Sequence, residues 1–491
     1  MIIEKIDKWG MEIPNKIAHI SGEKKLTYGE LSKQSDILAA FIGEQLKDEE
    51  KKSPIAVRGH KKSEMLVGFL GAVKAGHPYV PIDSSIPEER AEKIIQSSKA
   101  GLVLNEEKIA DIVAAGAGRA LAEPIEMMPD DPFYILFTSG STGEPKGVVI
   151  TKRNLESFVS WMLEEQEFSE QKEVFLNQAP FSFDLSVMDV YPSLVTGGTL
   201  VSVTKDDIAN PSKLHVALQN ANPTVWVSTP SFAQLCLMEK TFGDSVLPNL
   251  RKFLFCGETL SPKTASDLLD RFSQCEIWNT YGPTEATVAT SSIRITREII
   301  DKFPSLPVGY PKSGCELRIY GENDRMLAAG ESGEIIIVGD NVSPGYLGRP
   351  DLTERVFFMV EKMPAYRTGD QGYLKDGCLF FEGRMDNQIK LHGYRIELDD
   401  IAANLEVLSG IQRAVVMLKN VDGTNDFLVA FVGDENPEKQ TEFERTKMLK
   451  KELSKKLPAY MIPKKIVFVP GSFPMTANGK VDRKILMASI N

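Results

Sequence analysis

Between residues 131 and 300 the chain repeats one local pattern five times: a short β-type run, closed at once by a cluster of polar residues. The runs fall at 134–137, 174–176, 224–227, 252–255 and 276–278. The clusters that follow are the loop from Thr138, residues 179–189, residues 228–231, Cys256-Gly257-Glu258, and residues 279–287. Short apolar runs bounded by polar or Gly-containing segments read as buried strands. Residues 1–130 alternate amphipathic helical stretches with short strands, such as Tyr79-Val80-Pro81-Ile82-Asp83 and a helix over 65–75, which makes the chain α/β. Residues 101–121, rich in alanine and glycine, read as helix with a loose loop. Ligands of open α/β sheets bind beyond the carboxyl ends of the strands, so the five clusters are expected to line one crevice.

The first cluster carries the most specific chemistry. Thr138-Ser139-Gly140-Ser141-Thr142-Gly143-Glu144-Pro145-Lys146-Gly147 supplies three glycines, four hydroxyls and one lysine. Glycines let backbone N–H groups approach a polyanion, hydroxyls donate hydrogen bonds, and the lysine brings a mobile positive charge. The loop departs from the G-x-x-x-x-G-K-[ST] pattern, because Pro145 precedes the lysine and Gly147 stands where a Mg²⁺-binding hydroxyl belongs. A flexible Ser/Gly surface turn is the plainer reading, and it leaves Lys146 unexplained.

A length of 491 residues predicts two to four domains. Strand-rich segments with Gly/Asp/Asn turns, Lys375-Asp376-Gly377 among them, mark residues 310–385 as a small β subdomain. Residues 386–491 read as a separate α+β module with an Asp422-Gly423 hairpin signal and a Lys/Glu-rich helix over 441–457. In this module Lys480 falls in a polar, Gly-containing loop. No apolar run approaches the roughly 18 residues of a membrane span, and the charged start of the chain does not resemble a secretory signal. Five scattered cysteines without metal-ligand spacing fit a reduced, cytoplasmic protein. A net charge of −11 argues against nucleic-acid binding. Residues 386–491 nevertheless hold 16 basic against 14 acidic residues, with Lys450, Lys451, Lys455, Lys456, Lys464 and Lys465 near the end. These are either a solvated face or a docking surface for an acidic partner.

Five segments occur in the order found in adenylate-forming enzymes: residues 138–147, Asn279-Thr280-Tyr281-Gly282-Pro283-Thr284-Glu285, Tyr366-Arg367-Thr368-Gly369-Asp370, Gly383-Arg384-Met385-Asp386, and Asn478-Gly479-Lys480-Val481-Asp482-Arg483-Lys484. The chain thus resembles that superfamily over essentially its whole length. Through residues 178–189 and Phe253-Leu254-Phe255-Cys256-Gly257-Glu258 it is most similar to the D-alanine–D-alanyl carrier protein ligases of Gram-positive bacteria. The resemblance implies a large N-terminal ATP- and amino-acid-binding domain over 1–385, followed by a smaller, mobile lid domain over 386–491. It also implies two half-reactions. A carboxylate attacks the α-phosphorus of ATP, giving an acyl-adenylate and pyrophosphate, and a phosphopantetheine thiol then attacks the activated carbonyl. The substrates would be D-alanine and ATP with Mg²⁺, and the acceptor a D-alanyl carrier protein serving lipoteichoic acid D-alanylation. With few residues beyond Lys484, that acceptor is expected in trans.

The same resemblance assigns roles. Thr138, Ser139, Ser141, Thr142 and Lys146, with Gly140 and Gly143, would hold the β- and γ-phosphates. Asn279, Thr280, Tyr281, Gly282, Pro283 and Thr284 would frame adenine and the α-phosphate, and Glu285 would help bind Mg²⁺. Asp370 would accept from both ribose hydroxyls. Phe381, Glu382, Gly383 and Arg384 would flank the nucleotide, with Asp386 as the hinge. Lys480 would reach between the substrate carboxylate and the α-phosphate. Asp184 would pair with the substrate ammonium, which argues for an amino acid rather than a fatty acid; it could instead be a helix-start carboxylate. Met188, Cys256 and Val288 would narrow the side-chain pocket, although Cys256 could equally be core packing. The alternatives are a nonribosomal-type adenylation enzyme for a small L-amino acid, an acyl-CoA synthetase, which Asp184 disfavours, and a non-catalytic nucleotide-binding module, which Lys480 disfavours.

Overall fold

The computed structural model describes residues 2–47, 52–116, 125–140, 143–391, 393–421, 426–434, 441–471, 473–475 and 481–490. The chain divides into two compact units. The first comprises Met1–Ser84, Ile95–Phe137 and Gly147–Met385, the second Ser85–Ile94, Thr138–Lys146 and Asp386–Asn491. Two short segments from the first 385 residues therefore group with the C-terminal stretch, and the sequence pattern does not mark them.

The first unit is built on a nine-stranded sheet. Six strands run parallel side by side, in the order Glu276–Tyr281, Lys252–Phe255, Val225–Ser228, Val174–Asn177, Thr199–Ser202 and Ile17–Ser21. Side chains alternate across a strand, and here the alternation sorts the core. Phe175, Leu200, Val225, Val227 and Leu254 join a cluster with Val57, Tyr79, Phe133 and Val148 of a second, six-stranded sheet. Their neighbours Leu176, Val201, Trp226, Phe253 and Phe255 join another cluster with the helix residues Leu214, Phe232 and Leu268. Both faces are covered, which is why these strands read as continuous apolar runs. A third sheet of five antiparallel strands spans Cys315–Tyr320 to Cys378–Arg384; Asp376 (φ 51°) and Gly377 (φ 76°) form its last two-residue turn.

Two expectations need correction. Residues 101–121 do not begin as helix: Leu102–Asn105 is an edge strand parallel to Ile55–Gly59, and the helix starts only at Glu106, capped by Asn105. The available sheet edge overrides local alanine content. The five polar clusters also do not leave one sheet. Four follow neighbouring parallel strands of the nine-stranded sheet, whereas the loop from Thr138 follows Pro132–Thr138 of the six-stranded one.

In the second unit a three-stranded sheet, Ile411–Lys419, Phe427–Asp434 and Lys465–Val469, packs against the helices Leu398–Glu406 and Glu442–Lys456. The Lys/Glu-rich helix predicted over 441–457 matches, with Thr441 and Glu444 forming a capping box. The Asp422-Gly423 turn lies outside the described residues, and the strands flanking it are antiparallel.

One buried polar chain ties the parallel strands together. His19 lies between Ser63 Oγ (2.9 Å from Nδ1) and Ser202 Oγ (3.0 Å from Nε2). Ser202 donates its single proton to Asn177 Oδ1 (2.9 Å), so it must accept from Nε2–H. Burial and the nearby Lys61 push the His19 pKa down from 6.5 to about 3. The unfolded chain binds this proton below pH 6.5 and the folded chain does not. Each unit of acidification below that point therefore costs about 1.4 kcal/mol of stability. Denaturant titrations from pH 7 to 5 should show wild type losing about 2 kcal/mol more than His19→Gln. Identical pH slopes in the two proteins would remove His19 from the account.

Candidate active site

At the carboxyl edge of the nine-stranded sheet the chain leaves Val174–Asn177 and reaches Asp184, the first residue of a 3-10 turn that runs into the helix Val187–Val195. Thr284 Oγ1 donates to Asp184 Oδ2 at 2.6 Å, joining two of the polar clusters. Met188 on the helix is fully buried, as are Cys256 just after Lys252–Phe255 and Val288. Cys256 Sγ points at the Val288 carbonyl, 3.7 Å away.

The segment around Glu285 is unusual in its backbone. Gly282 approaches Ala289 so closely that a Cβ would come within 2.6 Å of its Cα. Thr287 (φ 54°) and Val288 (φ 70°) are both left-handed, a conformation costly for β-branched residues. Hydrogen bonds hold the turn: Thr287 Oγ1 to the Asn341 carbonyl (2.7 Å), and Asn341 Nδ2 to the Ala286 carbonyl (2.8 Å). Glu285 itself is wholly buried and accepts from the Tyr346 hydroxyl at 2.8 Å. Asn279 and Thr280 direct their side chains to the carbonyls of Pro307 and Phe255, each at 2.8 Å, so they brace the strand end.

A second carboxylate is treated differently. Asp370 receives Arg384 Nη1 on Oδ1 (2.7 Å) and the Tyr281 hydroxyl on Oδ2 (2.5 Å). Its register partner across the antiparallel pair is Arg384, which explains why motifs fourteen residues apart meet. Burial and the neighbouring carboxylate push the Tyr281 phenol well above its ordinary value, keeping it a donor. Phe381 lies beside Tyr281, ring centroids 6.0 Å apart. Glu382 is exposed and accepts from Ser332, while Gly383 takes a backbone φ of 145°.

In the second unit Ser139 Oγ donates to the Arg395 carbonyl and accepts from the Glu397 N–H, both at 3.1 Å. Thr138 Oγ1 is buried without a hydrogen-bond partner. A Cβ at Gly140 would strike the Glu144 carbonyl at 2.3 Å, so only glycine fits there; Gly143 is left-handed (φ 82°) and faces Asp400 and Asn404. Lys146 lies close enough to lower the pKa of the buried Glu397, against the larger upward push of desolvation. Asp386 accepts from the Gln388 N–H at 3.0 Å and opens the stretch that continues to the C-terminus. Ser141, Thr142 and Lys480 lie outside the described residues.

The model of the AMP-binding enzyme family matches residues 6–347, and that of the AMP-binding enzyme C-terminal domain matches residues 401–480. The chain belongs to the AMP-binding enzyme family. Among curated relatives, the D-alanine--D-alanyl carrier protein ligase of Bacillus mycoides (strain KBAB4) is 48% identical across 100% of this chain and 99% of its own length. Its namesake from Bacillus cereus (strain Q1) is 47% identical with the same coverage. In fold, the chain is similar to the Vibrio cholerae adenylation domain AlmE in complex with glycyl-adenosine-5'-phosphate. The TM-score is 0.83 at 21% identity, covering 99% of this chain and 96% of that one.

Seen as an AMP-binding enzyme, the chain holds residues that motif reading alone passes over. Tyr346 and Asn341, which brace Glu285 and the strained turn, sit in no motif; only the paired strand Gly345–Tyr346 brings the tyrosine there. Among the described residues no three His, Cys, Asp or Glu side chains cluster as a metal site. One buried carboxylate, Glu285, still suits Mg²⁺, which takes one or two carboxylates and completes its shell with substrate phosphates and water.

Proposed function

We propose that this AMP-binding enzyme is a ligase that activates D-alanine with ATP and transfers it to the phosphopantetheine thiol of a D-alanyl carrier protein. The observation that carries the reading is Asp184, steadied by Thr284 next to the buried wall of Met188, Cys256 and Val288. A carboxylate there suits an ammonium, and a wall of that kind suits a side chain no larger than a methyl group. Full-length similarity to ligases of this name supports it. The loaded carrier would serve lipoteichoic acid D-alanylation. Among the described residues no helix is long and apolar enough to cross a membrane, and all five cysteines are free thiols. We place the enzyme in the cytoplasm.

Each residue then has a physical task. Asp184 receives the ammonium of D-alanine. Asp370, oriented by Arg384 and Tyr281, keeps free lone pairs for the ribose hydroxyls. Thr138, whose hydroxyl is orphaned, and Lys146 attend the phosphates of ATP. Mg²⁺, bound through Glu285, would neutralise phosphate charge. A carboxylate is already a nucleophile at neutral pH, so the first step is limited by anion meeting anion, and positioned positive charge lowers that barrier. Lys480 supplies such charge. The Lys480→Ala variant should lose adenylate formation yet still transfer alanine from a supplied adenylate to the carrier. Equal loss in both half-reactions would refute that division of labour.

The carrier should be acidic. Lys451 and Lys465 are exposed on the second unit, while Lys450 donates to the Lys464 carbonyl (2.6 Å) and Lys455 pairs with Glu452 (2.7 Å). Reversing Lys451 and Lys465 to Glu should slow carrier loading and flatten its salt dependence, with adenylation unchanged. Loading kinetics indifferent to the reversal at every ionic strength would return these lysines to a merely solvated face.

Handedness tests the whole reading. D- and L-alanine exchange hydrogen and methyl at Cα, so a sulfur bordering the slot for an L-methyl favours the D-enantiomer. One methyl-sized clash gives about 1–3 kcal/mol, or roughly tenfold to two-hundredfold. Pyrophosphate exchange with glycine, D-Ala, L-Ala, D-Ser and L-Ser should rank D-Ala first. Cys256→Ala should raise kcat/KM for L-Ala and leave D-Ala nearly unchanged. A wild type that prefers L-Ala would favour the nonribosomal-type alternative.

A further inference from the structure

Lys61 lies between the strand Ile55–Gly59 and the helix Ser63–Lys74, with its backbone left-handed (φ 51°) and only 1% of its surface exposed. Its ammonium donates to three backbone carbonyls: Gln178, Val203 at 2.7 Å and Asn177 at 3.4 Å. Those carbonyls sit where the neighbouring parallel strands Val174–Asn177 and Thr199–Ser202 end, in register at Asn177 and Ser202. The Val203 N–H still donates to the Asn177 carbonyl (3.0 Å), and past it the carbonyls of Gln178 and Val203 lie beyond the paired strands, where a buried carbonyl without a donor costs about 1–3 kcal/mol. An ammonium has three protons and here meets three acceptors.

The position of these carbonyls gives the cation a consequence for the site. Gln178 is the first residue after the strand, and six residues later the chain reaches Asp184. On the far side, Asp189 is fully buried and bound by Asn177 Nδ2 at 3.1 and 3.0 Å; burial pushes the Lys61 pKa down to about 7, and Asp189 acts against that shift. The segment bearing Asp184 is thus anchored at both ends to one polar knot. Asp83, Lys205 and Asp207 also face Lys61, and His19 approaches from its own strand. Nothing in the chemistry above uses this lysine.

We infer that Lys61 is a positioning residue for amino-acid recognition: by holding the carbonyls of Asn177, Gln178 and Val203 it fixes the segment that presents Asp184 to the substrate ammonium. The inference rests on the reading of Asp184 given above. It differs from a general stabilising role in what it predicts, because the nucleotide residues Asp370 and Arg384 sit on a different sheet and should not notice the loss.

The test uses pyrophosphate exchange by the full chain, with D-alanine and ATP varied separately, and amide hydrogen exchange. Lys61→Met keeps the length and removes the donors. It should raise KM for D-alanine about tenfold or more while KM for ATP stays within about twofold. Amides 178–186 should exchange faster, with those of the five-stranded sheet unaffected. Lys61→Gln, which keeps amide donors, should fall between wild type and Met, and carries the test if the Met variant does not fold. In the double variant with Asp184→Asn, the Lys61 change should add little. Parallel rises in both KM values, or unchanged exchange at 178–186, overturn the inference. An ordinary D-alanine KM in Asp184→Asn alone overturns instead the reading of Asp184 on which it rests.

Discussion

Parallel strands buried on both faces must stop somewhere, and where they stop their carbonyls lose the ladder that satisfied them. That single constraint shapes the first unit. At the ends of Val174–Asn177 and Thr199–Ser202 the answer is Lys61, with Asn177, Ser202, His19 and Asp189 completing the knot. Two strands further along, Thr280 caps the Phe255 carbonyl, and next to it Asn279 reaches Pro307. Polar side chains are therefore required along this edge before any ligand is considered. Asp184 and Thr284 occupy the same edge, so the proposed recognition groups would grow from positions that already had to be polar. The buried network is costly if incomplete, because each orphaned group keeps its full desolvation penalty. This explains why the donors and acceptors of the knot match so closely in number.

Two carboxylates show how partners set a task. Asp370 has a guanidinium on one oxygen and a phenol on the other, which fixes its plane. Such a group suits recognition of neutral hydroxyls, since its charge is already balanced. Asp184 is steadied by the Thr284 hydroxyl, which orients the carboxylate. In the proposed reading it pairs with the substrate ammonium. In the proposed reading one fold would offer a hydroxyl acceptor and a cation acceptor from the same side-chain type, distinguished by what donates to them.

Much of this was legible in the sequence. The strands were readable because burial on both faces writes an apolar run bounded by polar residues, and Lys252–Phe255 follows that rule to the residue. The helix Glu442–Lys456 was readable as a Lys/Glu-rich stretch, and the structure adds the capping box that starts it. The strand Leu102–Asn105 was not, because its pairing with Ile55–Gly59 is a tertiary fact in a stretch of mixed propensity. Asp370 and Arg384 were visible as motifs, yet their contact required the register of an antiparallel pair. Lys61 carried no signal at all. A lone lysine after a strand reads as solvated, and only the convergence of three strand-end carbonyls makes it a buried clamp.

Pocket size also depends on backbone more than on bulk. Val288 forms part of the wall beside Cys256, but it does so from a left-handed conformation that a valine rarely adopts, next to a second strained residue, Thr287. Each costs on the order of 1–3 kcal/mol. The strain persists because surrounding bonds over-determine the turn: Thr287 to Asn341, Asn341 back to Ala286 and Thr290, and the Thr290 N–H to the Tyr281 carbonyl at 2.7 Å. Relaxing the turn would break several of these at once, each worth about 1 kcal/mol. The Val288 carbonyl is thereby kept in reach of the Cys256 sulfur, and the floor of the proposed pocket would be a rigid backbone surface. A wall made this way cannot yield by a rotamer change, which is what discrimination at the level of a single methyl group demands.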